Sequence, residues 1–118
     1  MLAGCSLTRR NTIIDKTTGS VMSDYSQTGG GDESWFNPGD HRYYSAATGT
    51  MSLGIIDANN LANTLSVATG VGAHSVAADP VTNHIFVPIA APDAACPSGC
   101  IAVFAGVNTD MMSQAPTP

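Results

Sequence analysis

Few side chains in this chain are equipped for chemistry. Its 118 residues hold 9 Asp and Glu, 3 His and 3 Cys. His41, His74 and His84 show neither H-x-H nor H-E-x-x-H spacing, so a catalytic zinc finds no ligand pattern. There is no G-x-S-x-G elbow for a nucleophilic serine. Gly29-Gly30-Gly31 lacks the Lys-Ser/Thr that grips phosphate. Ser75, His74 and Asp79 have the residue types of a hydrolytic triad, but neighbours in one strand point to opposite faces. Taken on their own, Asp32 and Glu33 read as a solvated strand end and His74 as a structural histidine at a strand start. Asn37 and Asp79 precede prolines and read as turn caps. His41 falls in a turn after Pro38-Gly39-Asp40, and Asn83-His84 at a turn-to-strand junction.

The cysteines divide unevenly. Cys96-Pro97-Ser98-Gly99-Cys100 is a C-x3-C loop. In an oxidising compartment it suits a disulfide that staples a tight hairpin. A metal site is less well supported, because the usual zinc knuckle is C-x2-C and a second Cys pair is missing. Cys5 is then left over. Leu2-Ala3-Gly4-Cys5 has the pattern of a lipoprotein cleavage site, but only Met1 precedes it here, so a strand is the preferred reading.

The elements that position these residues follow from composition and repetition. Hydrophobic residues make up 43% of the chain, enough for a folded core. Four Lys and Arg against nine Asp and Glu leave a net charge of −5, which disfavours nucleic acid and anionic membrane surfaces. No apolar run approaches the ~20 residues of a membrane span. Ile13-Ile14-Asp15 recurs 42 residues on as Ile55-Ile56-Asp57, and Pro38 recurs as Pro80. Each proline opens a turn between two strands. Gly, Pro, Asn and β-branched residues interrupt every candidate helical window. Four short strands per ~42 residues is the period of a β-propeller blade.

The chain accordingly reads as all-β, with four-stranded antiparallel blades of a partial β-propeller. Residues 1–25 end an incomplete blade, 26–73 hold a complete blade with its linkers, 74–105 a partial blade, and 106–118 a C-terminal tail. That is about 2.8 blades' worth of sequence. Such an open stack leaves faces and strand edges uncovered, so self-association or compaction is expected. Trp35, Phe36, Tyr43 and Tyr44 read as packing between blades.

The segments "IIDA", "GVGAHSVAADPVTNHIFVP" and "IAVFA" resemble the YVTN/lactonase-like β-propeller proteins of bacteria, over roughly residues 10 to 105. The resemblance implies a periplasmic or secreted protein of six or seven blades, whereas this chain carries fewer blades and no signal peptide. It also implies a calcium-assisted hydrolase that opens lactones such as N-acyl-homoserine lactones. Asp32, Glu33, Asn37 and Asp79 would then supply oxygen ligands to Ca²⁺. His74 or Glu33 would activate water as general base. The alternative is a non-catalytic propeller fragment acting as a binding or scaffold module.

Overall fold

A computed structural model describes residues 1–105. Ten strands form three antiparallel sheets, each a simple meander. The first sheet holds β1 (Leu2–Cys5), β2 (Arg10–Ile14) and β3 (Val21–Tyr25). The middle sheet holds β4 (Glu33–Asn37), β5 (Arg42–Ala47), β6 (Ser52–Asp57) and β7 (Thr64–Ala68). The third sheet holds β8 (Ala77–Ala78), β9 (Ile85–Ile89) and β10 (Cys100–Phe104). A single 3₁₀ turn, Thr48–Thr50, joins β5 to β6. The structure is thus all-β, and the described residues include no α-helix.

The 42-residue period reappears in backbone geometry. Leu2 pairs with Ile13 in the first sheet, and Tyr44 with Ile55 in the middle one. After each Ile-Ile-Asp, the carboxylate closes an Asx turn. Asp15 Oδ1 accepts from Thr17 N at 2.7 Å, and Asp57 Oδ1 from Asn59 N at 2.8 Å. Asn37 Oδ1 accepts from Gly39 N at 3.1 Å, and Asp79 Oδ1 from Val81 N at 3.0 Å. Even the residues held in the left-handed region recur. Arg9 (φ 55°) matches Met51 (φ 48°), and His41 (φ 56°) matches Asn83 (φ 57°). A non-glycine residue rarely adopts that conformation, so its return at one period marks the same hairpin turn built twice.

The sheets stack face on face, with the central strands β5 and β6 of the middle sheet buried on both sides. Strand alternation places Tyr44, Ala46, Leu53 and Ile55 on one face. There they pack against Val76, Ala78, Ile85, Val87 and Ile89 of the third sheet and its lead-in. Ile56 and Tyr43 point the other way and meet Ile13, Tyr25 and Leu2. The strand preferred for the segment around Cys5 spans Leu2–Cys5, and residues 6–9 form the turn to β2. The stretch around Ser75 to Asp79 yields only the two-residue β8. Residues 90–99 make that hairpin loop six residues longer than its counterpart at 48–51. Cys96 within it and Cys100 at the start of β10 form a disulfide with a Cα–Cα distance of 5.7 Å. Cys5 is a free, exposed thiol. The tail assigned to 106–118 lies outside the described residues.

Candidate functional site

Of the residues singled out from sequence, Glu33 and the neighbour of His74 come together at one cleft. Glu33 opens β4, with Asp32 just ahead of it. Both carboxylates are exposed, and Asp32 Oδ2 accepts from Thr48 Oγ1 at 3.2 Å. His74 is exposed on the approach to β8, its Nδ1 3.2 Å from Ser75 Oγ. Glu33 and Ser75 line one apolar cleft of about 250 Å³ with Trp35, Ala77, Phe86 and Ile101. The structure therefore places Glu33 at the same cleft as the residue next to His74.

Asn37 and Asp79 lie at the other end of the same strands and do not join that cleft. Asn37 is fully buried, and its Nδ2 donates to Asn83 Oδ1 at 3.0 Å. Asp79 Oδ2 accepts from Thr82 Oγ1 at 2.7 Å, so both of its oxygens serve the turn. The Val81 backbone N–H is the main cause that holds the Asp79 carboxyl below its ordinary range, with the Thr82 hydroxyl next. Asp93 is lowered in the same way, first by the Val71 N–H and then by that of Ala95. Among the described residues, no group of three or more His, Cys, Asp or Glu is gathered closely enough to hold a metal.

The depressed carboxyls carry a sign. Their folded values lie below the unfolded ones, so they stabilise the fold above the unfolded value. That contribution is lost as pH falls through the folded value. The melting temperature is expected to be level from neutral pH down to about 5, and to fall below about pH 4. Asp79→Asn should flatten part of that fall, because the neutral amide has no such titration. A melting profile unchanged by Asp79→Asn would contradict this assignment.

Two polar arrangements gave no sequence signal. Tyr44, fully buried, donates its hydroxyl to Asp40 Oδ2. Desolvation first, and then that hydrogen bond, push its phenol well above the ordinary value. Asn11, also fully buried, joins the first sheet to the Gly29-Gly30-Gly31 link and to Ser45. The sequence reads Tyr44 only as packing between blades and assigns Asn11 no role. A second cleft, of about 380 Å³, lies between β1 and β4 and is lined by Leu2, Lys16, Ser34, Trp35, Phe36 and Tyr43.

Comparison of the chain with family models, curated proteins and solved structures returned no match. None of the described helical segments is long and apolar enough to cross a membrane.

Proposed function

We propose that this chain is a non-catalytic, repeat-built β module that acts by docking through the outward face of its third sheet, onto a second copy of itself. One observation carries the reading. Tyr44, Ala46, Leu53 and Ile55 pack the middle sheet onto the third and are fully buried. Their counterparts in strand register on the third sheet are Phe86, Pro88, Ile101 and Val103. No further sheet among the described residues packs on them; Phe86, Pro88 and Ile101 border the 250 Å³ cleft beside Trp35, and Ile101 and Val103 are 57% and 55% exposed. A contiguous apolar sheet face of this kind marks an interaction site.

The partner follows from the other end of the stack. The outward face of the first sheet carries an Arg10–Asp24 ion pair at 2.6 Å, with Thr12 hydrogen-bonded to the same carboxylate. Head-to-tail stacking would strip water from that pair against Ile101 and Val103, which is costly. A two-fold arrangement joins the two apolar faces instead, and two-fold dimers are the commonest assembly. Sedimentation equilibrium is expected to show a dimer that Ile101→Lys with Val103→Lys converts to a folded monomer. A monomeric wild type would sink this reading, and so would a dimer that survives both substitutions. The 42-residue register and the four-strand middle sheet also support viewing the sheets as blades of a partial propeller of the YVTN/lactonase-like kind.

A second reading is favoured by Glu33 at the mouth of the apolar 250 Å³ cleft. Here the chain is a calcium-assisted hydrolase for lactones such as N-acyl-homoserine lactones, with the acyl chain against Trp35 and Phe86. Asp32 and Glu33 would hold the ion, which also accepts backbone carbonyls and water. When bound, the ion would polarise the lactone carbonyl. His74 would take the proton of the attacking water. Asn37 and Asp79, committed to turns, do not fit this ligand set. Ring opening followed by proton release should then fall at least ~10-fold on chelation, and to a similar degree in Glu33→Gln. Turnover indifferent to chelator would reject the reading.

A further inference from the structure

We infer that the Cys96–Cys100 bridge is a reversible thiol–disulfide site, and that its reduction by a dithiol opens the end of the 90–99 loop and the start of β10 while the three sheets stay folded. The bridge joins residues only 4 apart, both in the β9–β10 hairpin. It ties no sheet to another. A ring this short removes less entropy from the unfolded chain than one that spans sheets. The sheets are held instead by their two apolar clusters and by the hydrogen bonds of Asn11. Opening the bridge leaves those supports in place.

The bridge is also within reach of solvent. Cys96 and Cys100 are half-buried, and Pro97 and Ser98 between them are exposed. Only the inner side of each cysteine packs against the cluster that holds Val87 and Ile89. A thiolate of the incoming dithiol attacks one sulfur and forms a mixed disulfide. The other cysteine leaves as a thiolate and takes up a proton. The second thiol then displaces the first cysteine, which is protonated in turn. Two electrons and two protons pass to the chain, and the reductant departs as a disulfide.

The two halves of the loop are fastened differently, which makes the response local. The first half is tied to the 70–72 link. Asp93 Oδ2 accepts from Val71 N at 3.1 Å, and Ala90 N donates to Val71 O at 2.8 Å. Asp93 Oδ1 accepts from Ala95 N at 2.9 Å. The second half bonds within the loop, from Cys96 N to Asp93 O at 3.2 Å and from Gly99 N to Cys96 O at 2.9 Å. Gly99 sits at φ +79°, at the end of the turn that the bridge closes. Once the bridge opens, the sulfurs part from bonding to van der Waals distance, and glycine is free to leave that conformation. Residues 96–100 then fray, whereas the ties of Asp93 and Ala90 hold. Ile101 follows Cys100 directly, so the outward face of the third sheet changes with the oxidation state. This holds whether or not a second copy docks there.

The test uses the full chain, first oxidised and then treated with dithiothreitol in the absence of denaturant. Thiol titration is expected to rise from Cys5 alone to all three cysteines. Native-state hydrogen exchange at the Cys96 and Gly99 amides should quicken at least ~10-fold on reduction, as for a local opening. The Val71 and Ala90 amides and strands β2, β5 and β6 should keep their protection. Reoxidation should reverse both changes. The Cys96→Ser, Cys100→Ser protein should show the exchange of the reduced chain without any reductant. A bridge that dithiothreitol opens only in denaturant overturns the proposal. Unchanged exchange at Cys96 and Gly99 in the reduced chain does so as well. Unfolding of all three sheets on reduction overturns it too, because the bridge would then be a staple of the whole fold.

Discussion

Gly30→Ala is expected to destabilise the fold by more than about 3 kcal/mol, enough to leave much of the chain unfolded at room temperature. The Gly29-Gly30-Gly31 link leads from β3 to β4 and is buried throughout. A Cβ on Gly30 would overlap the Cys5 carbonyl oxygen and come within 2.7 Å of the Arg10 backbone nitrogen. Both neighbours are backbone atoms of the β1–β2 hairpin, so no side-chain rotation relieves the overlap. The link or the first sheet must move, and the Asn11 and Ile13 contacts move with it. Overpacking costs about 1–3 kcal/mol where side chains can adjust, and more where they cannot. Gly19→Ala supplies the contrast. Gly19 has φ +76° and nothing within 4 Å of a Cβ, so alanine there costs only the left-handed conformation, about 1–2 kcal/mol. Urea unfolding of the two variants separates steric from conformational cost. A larger loss at Gly19 than at Gly30 would refute the threading of the link between sheets.

Much of the strand framework was legible because the turns are local chemistry. Asp15 and Asp57 each cap the turn that follows Ile-Ile, and Asn37 and Asp79 each cap the turn opened by a proline. Such signals depend on residues two or three apart, which a sequence displays directly. The strands between them alternate, so Tyr44 and Ile55 could be placed on one face. What a sequence does not display is which face another sheet covers. Phe86 and Tyr44 look alike in sequence, yet one is buried by the next sheet and the other is partly open. Candidate chemistry suffered from the same gap. Glu33 and Ser75 share a cleft because β4 and β8 are adjacent, whereas Asn37 and Asp79 spend their oxygens on turns at the far end. The insertion at 90–99 also blurred the period, since it shifts β10 from 42 to 48 residues beyond β6.

Asn11→Leu is the second large effect, because the repeat itself offers leucine at this position. Leu53 occupies the matching place in the middle sheet and is fully buried in the apolar core. Asn11 is equally buried but faces a different neighbour. Its Nδ2 donates to Thr28 O at 3.3 Å, Thr28 Oγ1 at 2.9 Å and Gly29 O at 2.6 Å. Its Oδ1 accepts from Ser45 Oγ at 3.1 Å. Leucine has nearly the same shape and would gain transfer free energy, at most about 2–3 kcal/mol. Against this stand the buried groups of Thr28, Gly29 and Ser45, each costing about 1–3 kcal/mol when left without a partner. With three such groups the polar loss wins, and a net destabilisation of about 2–4 kcal/mol is expected in urea unfolding. Ser45→Ala alone removes the hydroxyl that donates to Asn11 Oδ1 and should cost only about 1 kcal/mol. In the double variant the serine hydroxyl is no longer stranded, so its loss should be smaller than the sum of the two single losses. Strict additivity would show that Asn11 and Ser45 do not act as one polar seam between the first and middle sheets. A stabilising Asn11→Leu would show that this seam is replaceable by the apolar packing used one repeat later.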